Sequence, residues 1–180
     1  VGILLLFALI SYSPTDPNFI FPENTEIKNL LGFHGSYTSD LFVQSIGLIS
    51  YLIPVSYIFT GLNIFRKKDI FLFIENTFFI ILYILTGSLF FDYFYENTFS
   101  LYINGNGGFV GNYLSGFFLK NFNISFENLI YYFILITVVI LFLFSINFEI
   151  KNLNQFIKKL FKLFYKKNSK NYTNKNEIIN

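Results

Sequence analysis

The sequence predicts an all-α, polytopic membrane protein, and three observations carry that prediction. Hydrophobic residues make up 53% of the 180, aromatic residues 22%, and the mean hydropathy is +0.51. Charged residues are only 13%, where soluble domains usually carry roughly 25%. The apolar residues also gather into long runs. A soluble fold of this length could not hide so much apolar surface and stay dispersed.

A helix needs about 20 apolar residues to cross a hydrocarbon core about 30 Å thick. Runs 41–65, 70–91 and 129–148 meet that requirement. Run 1–10 is too short and reads as the outer half of a truncated first helix. The chain opens at Val1 inside that run and has no Met, so it reads as a fragment or as an unusual start. A signal-peptide core is the rival reading, but Ser11-Tyr12-Ser13-Pro14 follows in place of a small-residue cleavage site. The expectation is four transmembrane helices, the first truncated.

The elements between the runs follow in order. Loop 11–40 is rich in turn chemistry, with Ser13-Pro14, Asp16-Pro17, Gly32 and Gly35. In the second run Pro54 removes a backbone donor and should kink the helix near Ser50. Gly47, Pro54 and Gly61 recur every seven residues, which predicts one small-residue face for close packing. Loop 92–128 bends at Asn104-Gly105-Asn106-Gly107-Gly108. Stretch 109–122 then predicts a short interfacial or re-entrant helix, with Gly108, Gly111, Ser115 and Leu119 at helical spacing. After the last run, 149–165 alternates apolar and Lys positions as a basic amphipathic helix would. Segment 166–180 is Lys- and Asn-rich and reads as disordered linker. The domain division is thus 1–148, 149–165 and 166–180.

Charge sets the orientation. Of the 13 basic residues, all but Lys28 and Lys120 lie in the 66–68 turn or after the last run. The positive-inside rule places both groups in the cytoplasm, with both termini inside and the two longer loops outside. Arg66, Lys67, Lys68, Lys158, Lys159 and Lys162 are the residues expected on an anionic membrane surface, where each contributes on the order of 1 kcal/mol.

Residues able to carry chemistry are sparse. Cys is 0, which removes thiolate metal sites, cysteine nucleophiles and disulfides. His34 is the single histidine, and with scattered carboxylates it does not make a metal-ligand set. Glycines 105, 107, 108 and 111 do not spell GxGxxG, and no GxxxxGK[ST] occurs. Glu75, the one acid inside a predicted crossing, reads as snorkelling toward Arg66. Asn76 beside it reads as a helix-to-helix hydrogen-bonding group. No catalytic, cofactor-binding or metal-binding residue is assigned. A small transporter or channel subunit is the competing class, since it needs clustered intramembrane polar groups.

Together these residues resemble a known family. Ser11-Tyr12-Ser13-Pro14-Thr15-Asp16-Pro17-Asn18-Phe19 is similar to the S-Y-x-P-x-D-P-x-F that ends the first membrane helix of FtsK/SpoIIIE-type DNA translocases. Asn29, Gly32, Gly35 and Asp40 resemble that family's N-x-x-G-x-x-G…D entry into the second helix. Gly47, Tyr51, Pro54 and Gly61 match its G…Y-x-x-P…G pattern, and Gly107, Gly108 and Gly111 its G-G-x-x-G. Ser36 departs from the alanine usual at its position, and the third run and the second loop match only in character. The resemblance implies the four-helix N-terminal anchor of a chromosome-segregating translocase in the bacterial inner membrane at the division septum. It further implies a hexamer in the full-length protein, other division proteins as partners, and double-stranded DNA held only by a separate motor. ATP and Mg would belong to that motor, so this chain is not expected to be an enzyme.

Overall fold

The computed structural model describes residues 1–17, 26–95, 104–118 and 127–148. The described residues form six α-helices, one 3-10 segment and no strand. The helices are α1 (Gly2–Ile10), α2 (Gly32–Ile46), α3 (Leu52–Lys67), α4 (Phe71–Tyr95), α5 (Gly108–Phe118) and α6 (Glu127–Ser145), with the 3-10 segment Gly47–Tyr51 joining α2 to α3. Residues Val1–Asn147 make one compact unit. The amphipathic segment 149–165 and the linker 166–180 lie outside the described residues.

Three helical stretches are long and apolar enough to cross a membrane: Gly32–Lys67, Phe71–Tyr95 and Glu127–Ser145. The nine residues of α1 fall short of that length. Each long stretch departs from its expected bounds for a local reason. The first begins at Gly32 rather than 41, because polar side chains in α2 bond back to their own helix. Thr38 Oγ1 donates to His34 O at 2.7 Å and Ser39 Oγ to Ser36 O at 3.1 Å, a local pairing that lets a polar sequence stay helical. Helix α4 continues past residue 91 to Tyr95 because Asp92 is buried and paired rather than ending the helix. Helix α6 starts earlier, with Glu127 in its first turn, where the helix dipole favours an acid. It stops at Ser145, short of 148, as Asn147 turns left-handed at φ 51°.

The interruption expected near Ser50 occupies Gly47–Tyr51, but Pro54 does not cause it. Gly47 ends α2 at φ 71°, ψ −148°, a conformation open to residues without a Cβ. Pro54 sits in the first turn of α3, where a missing N–H breaks no helix bond. Because the helix is broken between them, Gly47, Pro54 and Gly61 do not form the expected single face. Gly47 and Pro54 are buried, whereas Gly61 is exposed and a Cβ there would meet nothing within 4 Å.

The core gathers Leu5, Leu9, Val43, Ile46, Ile49, Ile53, Ile80, Tyr83 and Val138 from α1, α2, the 3-10 segment, α3, α4 and α6. Helix α4 packs on α3, α5 and α6. Its seam with α6 is aromatic: Phe79–Phe144, Tyr83–Phe142, Phe90–Tyr131 and Phe94–Tyr131 have ring centroids 5.3, 5.9, 5.2 and 5.0 Å apart. Such pairs add to what area burial alone supplies. The bundle has a basic end, where α3 closes on exposed Arg66, Lys67 and left-handed Lys68. The opposite end carries the end of α1, the start of α2 and α5.

Candidate functional site: a polar clasp at the far end

Most of the motif residues meet at the end of the molecule away from Arg66–Lys68. A helix leaves its last carbonyls without internal partners, and α1 shows how this chain supplies them. Ser11 Oγ donates to Phe7 O at 2.7 Å, and Asn29 Nδ2 donates to Ala8 O at 2.8 Å and Ser11 O at 3.3 Å. The same amide reaches Ser39 Oγ on α2 at 3.4 Å, while Asn29 Oδ1 accepts from Leu31 N at 3.1 Å. One buried side chain therefore ties the end of α1 to the loop and to α2. Gly35 is the position that makes room for it: a Cβ there would lie 2.0 Å from Asn29 Oδ1.

Asp16 holds the same loop from below. Its buried carboxylate accepts the Lys28 N–H at 3.1 Å on each oxygen and the Asn29 N–H at 2.8 Å. Charge-assisted bonds of this kind are about twice as strong as neutral ones. Ser36 Oγ donates to Pro17 O at 2.7 Å, so the serine at the departing position has a bonding role. Tyr12 Oη donates to Asp40 Oδ1 at 3.2 Å, and Gln44 Nε2 approaches the same oxygen at 3.5 Å. Pro14 is exposed on the outer turn.

The second glycine group plugs the helix break. Leu48 N, freed by the break, donates to Asn106 O at 2.8 Å. Ile46 O accepts from Ser88 Oγ of α4 at 2.8 Å, and Gln44 O from Asn104 Nδ2 at 3.2 Å. Backbone meets backbone so closely that side chains are excluded. A Cβ on Gly47 would lie 1.9 Å from Asn106 O, one on Gly108 2.6 Å from Gly47 N, and one on Gly107 or Gly111 2.4 Å from Ser88 O. Beside them Ser115 Oγ donates to the buried carboxylate of Asp92, and Asn106 Nδ2 to Tyr95 O.

The fold thus brings together Ser11, Tyr12, Asp16, Pro17, Asn29, Gly35 and Asp40 as one set, and Gly47, Gly107, Gly108 and Gly111 as a second. Gly32 starts α2 at φ 63°, while Gly61 and Arg66 lie apart from both sets. Glu75 is exposed on α4, one residue from buried Asn76. Lys158, Lys159 and Lys162 lie outside the described residues. Sequence reasoning missed Ser39, Ser88, Asp92 and Asn106 as bonding partners. Asp92 stood just beyond the apolar run, and its signal was a helical spacing from Ser88 that continues the α4 pattern. All these contacts are hydrogen bonds and close packing, so the arrangement fastens helices to one another.

The family model described as the 4TM region of DNA translocase FtsK/SpoIIIE matches residues 1–154. A DNA translocase FtsK of Rickettsia bellii is 32% identical over 92% of this chain and 21% of its own length. The FtsK of Rickettsia prowazekii is 35% identical over 35% of this chain and 8% of its own. That of Azospirillum brasilense is 32% identical over 39% and 11%. The chain therefore spans about a fifth of the length of the Rickettsia bellii relative, and less of the others. No solved structure matches it. With the family's model matching from residue 1 to 154 and apolar helices compatible with membrane spans, the chain belongs to the FtsK/SpoIIIE 4TM-region family.

Proposed function

We propose that this chain is the membrane anchor of a DNA translocase that acts in chromosome segregation at the division septum. The observation that carries this reading is the family match over residues 1–154. The geometry supports an anchor over a transporter. Several polar side chains between the helices are spent on one another: Asn76 Nδ2 donates to Thr60 Oγ1 at 2.8 Å, Asn147 Nδ2 to Asn76 Oδ1 at 2.6 Å, and Ser56 and Ser145 hydroxyls meet at 2.8 Å. Groups paired in this way join helices and do not line a path for a solute.

The full topology in this reading has four crossings with both termini cytoplasmic. Helix α1 runs from its clasp into the bundle until Gly2 lies against Ile58 and the Pro54 carbonyl of α3, a course that supports reading it as the outer half of a first crossing. Arg66, Lys67 and Lys68 lie on the cytoplasmic surface, against anionic lipid with Lys158, Lys159 and Lys162. In this reading segments 149–165 and 166–180 lead from the 1–148 anchor toward a motor that carries the ATP, Mg and DNA chemistry. The inner membrane, hexameric assembly and contacts with other division proteins belong to the same proposal.

The test is replacement of the anchor region of a bacterial FtsK by residues 1–180, with a fluorescent protein attached. A band at the division site, and restored chromosome separation when the host motor follows, is the expected result. Uniform membrane fluorescence with chromosomes trapped in the septum would refute the reading.

A further inference from the structure

We infer that α5 and the glycine loop before it form a lipid-seated element, with Phe109 and Tyr113 embedded at the boundary between acyl chains and headgroups on the far side of the bilayer. The inference rests on the membrane topology proposed above and assigns a partner, lipid, to a surface that the clasp leaves open. Three observations lead there.

The first is depth. From Phe71 at the basic end to Asp92, α4 rises about 32 Å at 1.5 Å per residue. From Lys67 back to Leu48, the 3-10 segment and α3 cover about 30 Å. Both measures match the thickness of the hydrocarbon core, about 30 Å. Helix α5 packs at this level: Gly108 lies against Gly47, the neighbour of Leu48, and Ser115 bonds Asp92.

The second is how the helix break is satisfied. In water, the groups freed at Gly47 could bond solvent. Here Gln44 O, Ile46 O and Leu48 N are each taken by a protein partner. Irregular backbone at membrane depth is tolerated where protein buries it, and the 104–107 loop and Ser88 of α4 supply that cover.

The third is the division of α5 into two faces. Gly108, Gly111 and Ser115 are buried against α4 and the break. Phe109 and Tyr113, one helical turn apart, remain 67% and 69% exposed. Tyr, with an apolar ring and a polar hydroxyl, is enriched at the level where acyl chains meet headgroups, and the apolar ring of Phe109 beside it favours the acyl chains. Eleven residues are too few to cross the bilayer, so the helix lies at this boundary.

Because the chain contains no Trp, a single introduced Trp reports its own surroundings. We would reconstitute the 180-residue chain with Phe109→Trp or Tyr113→Trp in phosphatidylcholine vesicles whose acyl chains are brominated at graded depths. Ile136→Trp, exposed at the middle of α6, serves as the deep control. The expected result is loss of most α5 emission with bromines near the headgroup end, and of most Ile136→Trp emission with bromines near the bilayer centre. Quenching of both α5 reporters by aqueous iodide but not by brominated lipid, with Ile136→Trp still quenched by deep bromines, would overturn the α5 assignment and leave the anchor intact. Strongest α5 quenching from the deepest bromines would also overturn it. Failure of brominated lipid to quench any of the three would overturn the topology as well.

Discussion

At the far end of the bundle, Asn29 bonds two backbone carbonyls, a backbone N–H and a serine hydroxyl from three segments. At the basic end, Asn76 bonds two side chains, Thr60 and Asn147. Both asparagines are buried and both tie helices together. The difference lies in what they satisfy. Asn76, on α4, meets only side chains, one on α3 and one in the turn after α6, so losing it forfeits side-chain bonds. Asn29 covers carbonyls that the end of α1 leaves open, so losing it strands backbone groups. The Asn29 site is therefore the more brittle of the two, since buried backbone groups that lose their partners cost the full desolvation penalty.

That contrast can be broken in graded steps, each read as a shift in unfolding of the purified protein in detergent. The largest effect is expected from Gly47→Val. It puts a β-branched residue at φ 71° and a Cβ 1.9 Å from Asn106 O, which should cost about 3 kcal/mol or more and detach α5. Asn29→Ala should follow, at about 2–3 kcal/mol, from the carbonyls left bare. At the basic end, Asn76→Ala should cost only about 1 kcal/mol, the usual range for hydrogen bonds between membrane helices. A loss at Asn76 equal to that at Asn29 would erase the distinction between the two ends. The smallest effect belongs to Gly61→Ala, where nothing lies within 4 Å. There the gain in helix propensity should stabilise the chain by about 0.5–1 kcal/mol. A clear destabilisation would show that a second molecule occupies that face.

The two ends also differ in how much of them the sequence discloses. Apolar runs of near-bilayer length located α4 and α6 to within a few residues, because hydropathy acts on every residue of a crossing. The start of α2 was hidden, since Ser36, Thr38, Ser39 and Asp40 read as loop until their hydrogen bonds are known. Gly47 was named as a packing residue, but its φ of 71° and its role as the breaker depend on Asn106, which is distant in sequence. Asp92 was lost for a related reason. An acid at the end of an apolar run signals an exit from the membrane unless a partner such as Ser115 is known to meet it. The motif positions were legible as a family pattern. Their convergence on Asn29 and on the Gly47 break is a tertiary fact that spacing alone does not encode.

The central claim is that the first set of far-end motif residues, Ser11 to Asp40, acts as one structural unit around Asn29. A double-mutant cycle between Asn29→Ala and Gly35→Ala tests it most directly, because the Cβ added at residue 35 would strike Asn29 Oδ1 at 2.0 Å. Neighbours sharing one network show coupling of about 0.5–3 kcal/mol. We expect the double variant to be more stable than the sum of the single losses predicts, by about 1 kcal/mol or more. Strict additivity would mean that Gly35 and Asn29 act independently, and would contradict the clasp.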